Sequence, residues 1–434
     1  MRIAPATLVL SACLLAPVIS GAESLRDSVA ADYKSSLGGI FTQLHSRPEL
    51  SGREVETSKF LAKTLRGFGY QVTESVGGTG VVAVMKNGSG PTVLLRADMD
   101  GLPVEEKSGL PYASKARQAD LAGKDMPVMH ACGHDVHVTS LIGAAKQLAQ
   151  RKGEWSGTLV LIGQPAEETL AGARSMLKDG LYERFPKPDY ALAFHVSSRH
   201  PAGKVQVPIG IAYSSSDSVD IIVHGVGAHG ASPHLGVDPV LVASQIVVTL
   251  QSVVSRTIDP LAPGVITVGS IHGGTKRNII GDRVDLQLTV RADSFQVRDQ
   301  LLQSIDRVAA GVATSLAVPQ GKMPEVIRSS TETTPPTIND EATARRIRAA
   351  FVEKLGAAQV IDQSREGMGA EDFAQLIAPE LNVKGVYFTV GGTPPEELAQ
   401  APSHHSPLFK IQPEPAIKAG TEAMVVGALT LLAR

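Results

Sequence analysis

Three histidines, a thiol and a carboxylate fall within the eight residues His130-Ala131-Cys132-Gly133-His134-Asp135-Val136-His137. Imidazole and thiolate are the strongest protein ligands for a borderline transition metal. The chain has two cysteines, Cys13 and Cys132. Cys13 lies in an N-terminal leader, which leaves Cys132 without a partner for an internal disulfide. Metal ligation, nucleophilic catalysis and inert burial are the roles open to it. The density of ligand types favours a metal.

Other stretches offer matching chemistry. Gln164-Pro165-Ala166-Glu167-Glu168 follows an apolar strand. Adjacent carboxylates there point in different directions, so one can bind metal while the other serves as a general base. A solvated acidic pair is the competing explanation. His195, in Ala193-Phe194-His195-Val196, ends a second apolar run. It is either a packed core residue or a ligand at a sheet's C-terminal edge. His404-His405-Ser406-Pro407 forms a polar loop stiffened by its proline. Four ligand-rich spots at sheet edges suggest two metals sharing one site.

The elements that must position these groups alternate in type. Residues 25–45 and Glu54 to Phe68 pattern as helices, the second stopped by Gly67 and Gly69. Val81–Met85 and Thr92–Arg96 read as strands joined by a hairpin-type turn at Lys86-Asn87-Gly88-Ser89-Gly90. Val138 to Gln150 is helical, which puts the ligand run at a helix entrance. Thr158–Gly163 and Tyr190–Val196 are buried strands, with a helix at Ala171–Lys178. The alternation predicts an α/β sandwich with a largely parallel sheet. From residue 213 the pattern becomes β-α-β-β-α-β. Its strands are Val219–His224, Val265–His272, Val284–Arg291 and Pro324–Ser329, and its helices are Asp238–Val254 and Gln296–Ala313. That order is a ferredoxin-like α+β unit inserted in the larger domain.

The 434 residues suffice for two domains. Apolar residues make 43%, charged residues 19%, and the net charge is −2 without a basic block, which argues against a nucleic-acid partner. Arg2, the apolar run Ile3 to Ile19 and Ser20-Gly21-Ala22 make a signal peptide over 1–22, with Glu23 the first mature residue. Export to the periplasm is expected. A lipoprotein processing box at Leu10-Ser11-Ala12-Cys13 ranks second. No later stretch reads as a transmembrane span.

Several segments together carry a family resemblance. They are Arg96-Ala97-Asp98-Met99-Asp100-Gly101-Leu102-Pro103, Met129 to Asp135, Gln164 to Glu168, Gly227-Ala228-His229-Gly230-Ala231-Ser232-Pro233-His234, Gly367-Met368-Gly369-Ala370-Glu371-Asp372-Phe373-Ala374, and His405-Ser406-Pro407. The chain resembles the dinuclear metallopeptidase family of aminoacylases and glutamate carboxypeptidases. Within it, the chain looks like the branch of bacterial hippurate hydrolases and plant auxin–amino acid hydrolases. The resemblance implies a three-layer metallopeptidase sandwich (phosphorylase/hydrolase-like), with catalytic segments 23–212 and 327–434 flanking a lid and dimerisation domain at 213–326.

It also implies roles. Cys132, His134, Glu168, His195 and His405 would hold two divalent ions, zinc or manganese, with cobalt or nickel as alternatives. Glu167 would be the base acting on a metal-activated water. His229 would stabilise the oxyanion, often in the partner subunit's site, so a homodimer is expected. Asn278 and Arg291 would hold a substrate carboxylate. Asp98, Asp100, Asp135 and His137 would sit behind the ligands. The chain departs from the pattern at Gly281-Asp282-Arg283, where relatives carry a proline turn, and at Leu288-Thr289-Val290-Arg291. The implied activity is hydrolysis of N-acyl or N-aroyl amino acids or small peptides. A deacetylase or esterase, or a non-catalytic binding protein of the same fold, are the alternatives. Gly225-Val226-Gly227-Ala228-His229-Gly230 spells a dinucleotide fingerprint, but Pro233 and Pro239 delay the helix such a site needs.

Overall fold

The computed structural model describes residues 24–363, 365 and 367–433. The leader at 1–22, with Arg2 and the Cys13 box, and the cleavage point before Glu23 lie outside the described residues.

Strands β1 (Gln71–Val76), β2 (Gly80–Asn87) and β3 (Thr92–Asp98) begin the main sheet. A short hairpin of β4 (Arg117–Ala119) and β5 (Asp125–Pro127) follows. The sheet continues with β6 (Gly157–Gln164), β7 (Tyr190–Pro201) and β8 (Val205–Gln206), and β17 (Lys384–Thr393) completes it. The spatial order is β1-β2-β6-β3-β7-β17-β8. The four central strands run parallel, and the pairs β1–β2, β2–β6 and β17–β8 are antiparallel. The largely parallel sheet expected from sequence is therefore mixed.

The hairpin expected between Val81–Met85 and Thr92–Arg96 does not form. β6 lies between those strands, antiparallel to β2 and parallel to β3. The turn chemistry at Gly88 is real, with φ 81°. A strand arriving from residue 157 takes both neighbours because pairing there buries their two apolar faces.

Those faces explain the three layers. Side chains alternate across a strand. Val81, Ala83, Val93, Leu95, Leu159, Leu161, Leu192 and Phe194 enter one core with the helices Val55–Gly67, His134–Gln150, Glu341–Leu355 and Pro413–Leu431. Val82, Val84, Leu94, Val160, Ile162, Ala191 and Ala193 enter another with Gly172–Lys178 and Phe373–Leu376.

The inserted unit has its own core. Its strands are β10 (Ser216–His224), β12 (Gly264–Gly273), β14 (Arg283–Ala292) and β15 (Glu325–Thr334), in the antiparallel order β12-β14-β10-β15. Helices Pro239–Arg256 and Phe295–Ser315 cover it. This is the ferredoxin-like arrangement. Its last strand runs five residues past the expected Ser329. Among the described residues, Pro239–Arg256 is the one helix long and apolar enough to cross a membrane, but Val242, Ala243, Ile246, Leu250 and Val253 lie in this core. A small sheet of β11 (Ala228–His229) and β13 (Ile279–Ile280) projects from the unit. The chain enters and leaves through paired strands β9 (Ile211–Tyr213) and β16 (Thr337–Ile338).

Candidate metal centre and active site

The ligand candidates meet at the C-terminal edge of the parallel strands, where open α/β sheets place their sites. β3 ends at Asp98, with Asp100 just beyond. β6 leads to Glu167 and Glu168. His195 lies two residues past the last β3–β7 pair, Arg96 with Ala193. His404 and His405 follow β17. The helix expected from Val138 begins at His134, so that ligand candidate occupies its first turn.

Gly133 makes this start possible. Its φ of 86° is left-handed, and a Cβ there would meet Val196 Cγ1 at 2.3 Å. Any other residue would push the helix off the sheet and separate Cys132 from His134. Ala166 and His405 also hold positive φ, 49° and 66°. Such backbone costs energy and concentrates at functional sites. Buried Glu54 secures the Ala166 turn by accepting its N–H at 2.8 Å.

Cys132 Sγ is the common point. It lies 3.4 Å from His195 Nε2 and 3.8 Å from His404 Nδ1, and it also groups with His134 and Glu168. Two donor sets therefore share one sulfur. The imidazoles are oriented from behind. His134 Nδ1 lies 2.8 Å from the Asp100 carbonyl and His195 Nδ1 lies 2.7 Å from the Val196 carbonyl. A carbonyl only accepts, so each Nδ1 carries the proton and each Nε2 turns its lone pair inward. Among the described residues, His134 Nε2 and Glu168 Oε1 are buried without a hydrogen bond. Inward lone pairs on His134 Nε2, His195 Nε2 and Glu168 Oε1, gathered around one sulfur, are what a divalent cation satisfies. The residues present fit a metal pair.

The charge balance agrees. Burial alone would lower the His134 pKa, yet Asp98, Asp100 and Glu168 raise it to about 10. The acidic surround thus draws a positive charge to that atom. Burial, then Glu371, Glu168, Asp372 and Asp98, push the Glu167 carboxyl well up. Burial, then Glu168, Glu167 and Asp98, push the Cys132 thiol up as well. Cations there would reverse both shifts.

The supporting residues are tightly held. Asp98 accepts from His137 Nδ1 at 2.5 Å and from Arg96 Nη1 at 2.5 Å. Burial would raise the Asp98 pKa, but Arg96, His134 and His137 hold it well below the usual carboxylate range. His137 Nε2 accepts from Val196 N at 2.8 Å, so both its nitrogens are engaged. Asp100 accepts from Ser51 Oγ at 2.7 Å and from the Glu168 backbone N–H at 3.0 Å. Asp135 pairs with His45 at 2.7 Å, and the other His45 nitrogen faces Glu106 at 3.1 Å.

His405 does not join Cys132 and His195. Its Nε2 lies 3.3 Å from Glu168 Oε2, with the side chain 55% exposed. The neighbouring His404 approaches the thiol instead. Its Nε2 accepts from Ser198 N at 3.3 Å, which leaves the proton on Nδ1 facing sulfur. In this geometry His404 donates to the sulfur. Arg291 lines the same cavity of about 940 Å³ as Cys132, Glu167, Glu168 and His195. His229 and Asn278 are exposed on or beside the β11–β13 sheet, outside that cavity.

Sequence reasoning gave no role to the network beneath Glu167. Buried Arg96 donates to Glu371 Oε1 at 2.7 Å, Asp372 Oδ1 at 3.1 Å and Gln164 Oε1 at 3.0 Å. Glu371 also accepts from Tyr387 Oη at 2.5 Å. The signal was an arginine inside the apolar run Thr92 to Ala97, which forces a buried counter-charge.

Comparison with known proteins gives a consistent result. Residues 94–426 match the model of peptidase family M20/M25/M40. The hippurate hydrolase of Campylobacter jejuni is 38% identical over 343 residues, 79% of this chain and 85% of that protein. The IAA-amino acid hydrolase ILR1-like 2 of Arabidopsis thaliana is 35% identical over 377 residues, 86% and 80% of the two chains. The crystal structure of YXEP from Bacillus subtilis, described as a dinuclear metal binding peptidase from the M20 family, superposes with TM-score 0.75 at 27% identity, covering 93% of this chain and 99% of that one.

Proposed function

The chain belongs to peptidase family M20/M25/M40, whose members are metal-dependent hydrolases of amide bonds, and from that premise we propose that it hydrolyses N-acyl or N-aroyl amino acids, or small peptides, beside a free carboxylate. The supporting observation is the placement of buried Glu167 beside the inward lone pairs of His134, Glu168 and Cys132. Cys132, His134, Glu168, His195 and His405 would hold two divalent ions, zinc or manganese, with cobalt or nickel as alternatives. Bound there, the ions supply Lewis acidity, which lowers the pKa of water and polarises a carbonyl.

The chain's own groups do the rest. Glu167 takes a proton from the attacking water and returns it to the leaving amine. Arg96, through Glu371 and Asp372, holds the anionic wall behind Glu167. Arg291 makes no salt bridge among the described residues, and burial pushes its pKa down. A half-buried guanidinium with no direct ion pair favours a substrate carboxylate.

His229 and Asn278 would act only if brought to the cavity from a second subunit or by movement of the inserted unit. Exposed Val240, Leu241 and Val248 on the Pro239–Arg256 helix, and Ile271 on edge strand β12, favour a homodimer through that unit. Export to the periplasm rests on the leader composition at 1–22.

The test loads the protein with zinc, manganese, cobalt or nickel and offers N-benzoylglycine, N-acetyl amino acids and dipeptides. Release of free amine, lost with chelator and restored by metal, is the expected result. Amidating the substrate carboxylate should slow the reaction. If no metal form releases amine from any of these compounds, the proposal fails.

A further inference from the structure

Half-buried Tyr213 differs from three other tyrosines of the core. Tyr70, Tyr182 and Tyr387 each donate their hydroxyl within the fold, to Ala145 O at 3.0 Å, Leu376 O at 2.9 Å and Glu371 Oε2 at 2.5 Å. The Tyr213 ring packs edge-on against Tyr387 with centroids 5.3 Å apart, and lies 6.4 Å from the His195 ring. Among the described residues its hydroxyl makes no hydrogen bond to the protein, and the residue lines the cavity that also holds Cys132, Glu167 and His195.

Its backbone is fixed. Tyr213 ends β9, pairs with Thr337 of β16, and precedes Ser214, whose N–H donates to Gly369 O at 2.8 Å. A rigid aromatic stem on a paired strand therefore presents a phenol to the reaction cavity. A donor held in place before reaction spends nothing on reorganisation when charge develops. An unpaired phenol beside a protein acceptor would be a packing accident. On the wall of the cavity that the general base and the ligand cluster also line, it lacks only the acceptor that substrate brings.

Resting on the hydrolase reading above, we propose that the Tyr213 hydroxyl donates a hydrogen bond to the carbonyl oxygen of the scissile amide and holds that oxygen as it becomes an oxyanion. The tyrosine keeps its proton throughout. Water oxygen bonds to the carbonyl carbon as the C=O π pair moves onto oxygen. The pair returns when the C–N bond breaks, and the amine leaves with the proton carried by Glu167. The donor is supplied by the same subunit, whatever His229 contributes.

Tyr213→Phe removes one oxygen, keeps the ring packing and breaks no hydrogen bond seen in the fold. Melting temperature and metal content should match the wild type. Turnover should fall about 10²-fold with KM little changed, the size of losing one oxyanion donor. A phosphonate isostere of the acyl-amino acid, tetrahedral at the reacting centre, should bind the variant about 10²-fold more weakly by calorimetry. A rise in KM alone, which would place the phenol on the substrate carboxylate, overturns the proposal, as does equal phosphonate affinity. A wild-type protein that turns over no acyl-amino acid defeats the hydrolase reading. The calorimetric comparison still decides the tyrosine, since equal affinity overturns its role and weaker binding by the variant supports it.

Discussion

The floor of the cavity and its upper wall are built on opposite terms. At the floor, the central groups are fixed from behind: His134 by the Asp100 carbonyl, His195 by the Val196 carbonyl, Asp98 by Arg96 and His137. On the inserted unit, Arg291 is held by one 3.3 Å contact to Thr289, and His229 and Asn278 stand in the open. Groups that must meet an ion to within tenths of an ångström are set rigidly before it arrives. Groups that meet a variable substrate are left to be recruited. The contrast predicts that floor substitutions disturb both chemistry and stability, whereas wall substitutions disturb only the handling of substrate.

The largest effect should come from Glu167→Gln. Turnover should fall by about 10³-fold or more while metal content by elemental analysis stays at wild-type level. Loss of metal along with activity would make Glu167 a structural member of the floor instead of its base.

Arg96→Met should cost about 3–5 kcal/mol in urea titrations, because Asp98, Glu371 and Asp372 would be left buried without their cation. A loss under 1 kcal/mol would mean that the floor is not preorganised by this network.

The floor should also show a pH signature. Burial opposes charge on His45, but its hydrogen bonds to Asp135 and Glu106 raise its pKa to about 10. Its stabilising contribution is then complete below the unfolded value near 6.5 and is lost as pH rises through about 10, by at most about 1.4 kcal/mol per pH unit. His45→Gln should abolish that slope between pH 7 and 10. A slope that survives the substitution comes from elsewhere.

On the wall, Arg291→Ala should raise KM for an acyl-amino acid about tenfold or more, with turnover and melting temperature little changed. The same variant should treat the amidated substrate as the wild type does. The smallest signal is the most specific. Mixing Glu167→Gln with His229→Ala subunits should recover up to about a quarter of wild-type activity if the histidine serves the other subunit's cavity. If the mixture recovers nothing, His229 either works within its own chain or does not work.

What could be read from sequence follows the same divide. Cys132, His134, Glu168 and His195 were legible because rare ligand types closed strands or opened a helix, which is local information. The approach of His404 to the sulfur, beside the His405 that the resemblance names, was not. The chain turns through a left-handed backbone at His405, so the two neighbours face different groups, and local sequence does not announce such a turn at a histidine. Arg96 could be seen as an anomaly, but its partners Glu371 and Asp372 lie 275 and 276 residues away in sequence. The turn at Gly88 misled for a related reason. Its chemistry suits a hairpin, and a non-local strand took the pairing. The inserted unit was read almost element by element, because each of its strands and helices alternates cleanly against one core.

The two crossings at β9 and β16 carry a last consequence. Cavity walls on either side of them belong to bodies with separate cores, so the space above the ligand cluster is an angle as much as a volume. Bulk in the acyl portion of a ligand is then met by two walls whose separation these paired strands set. Substitutions in β16, away from Tyr213, would retune which conjugates are accepted while leaving the ion-binding floor unaltered.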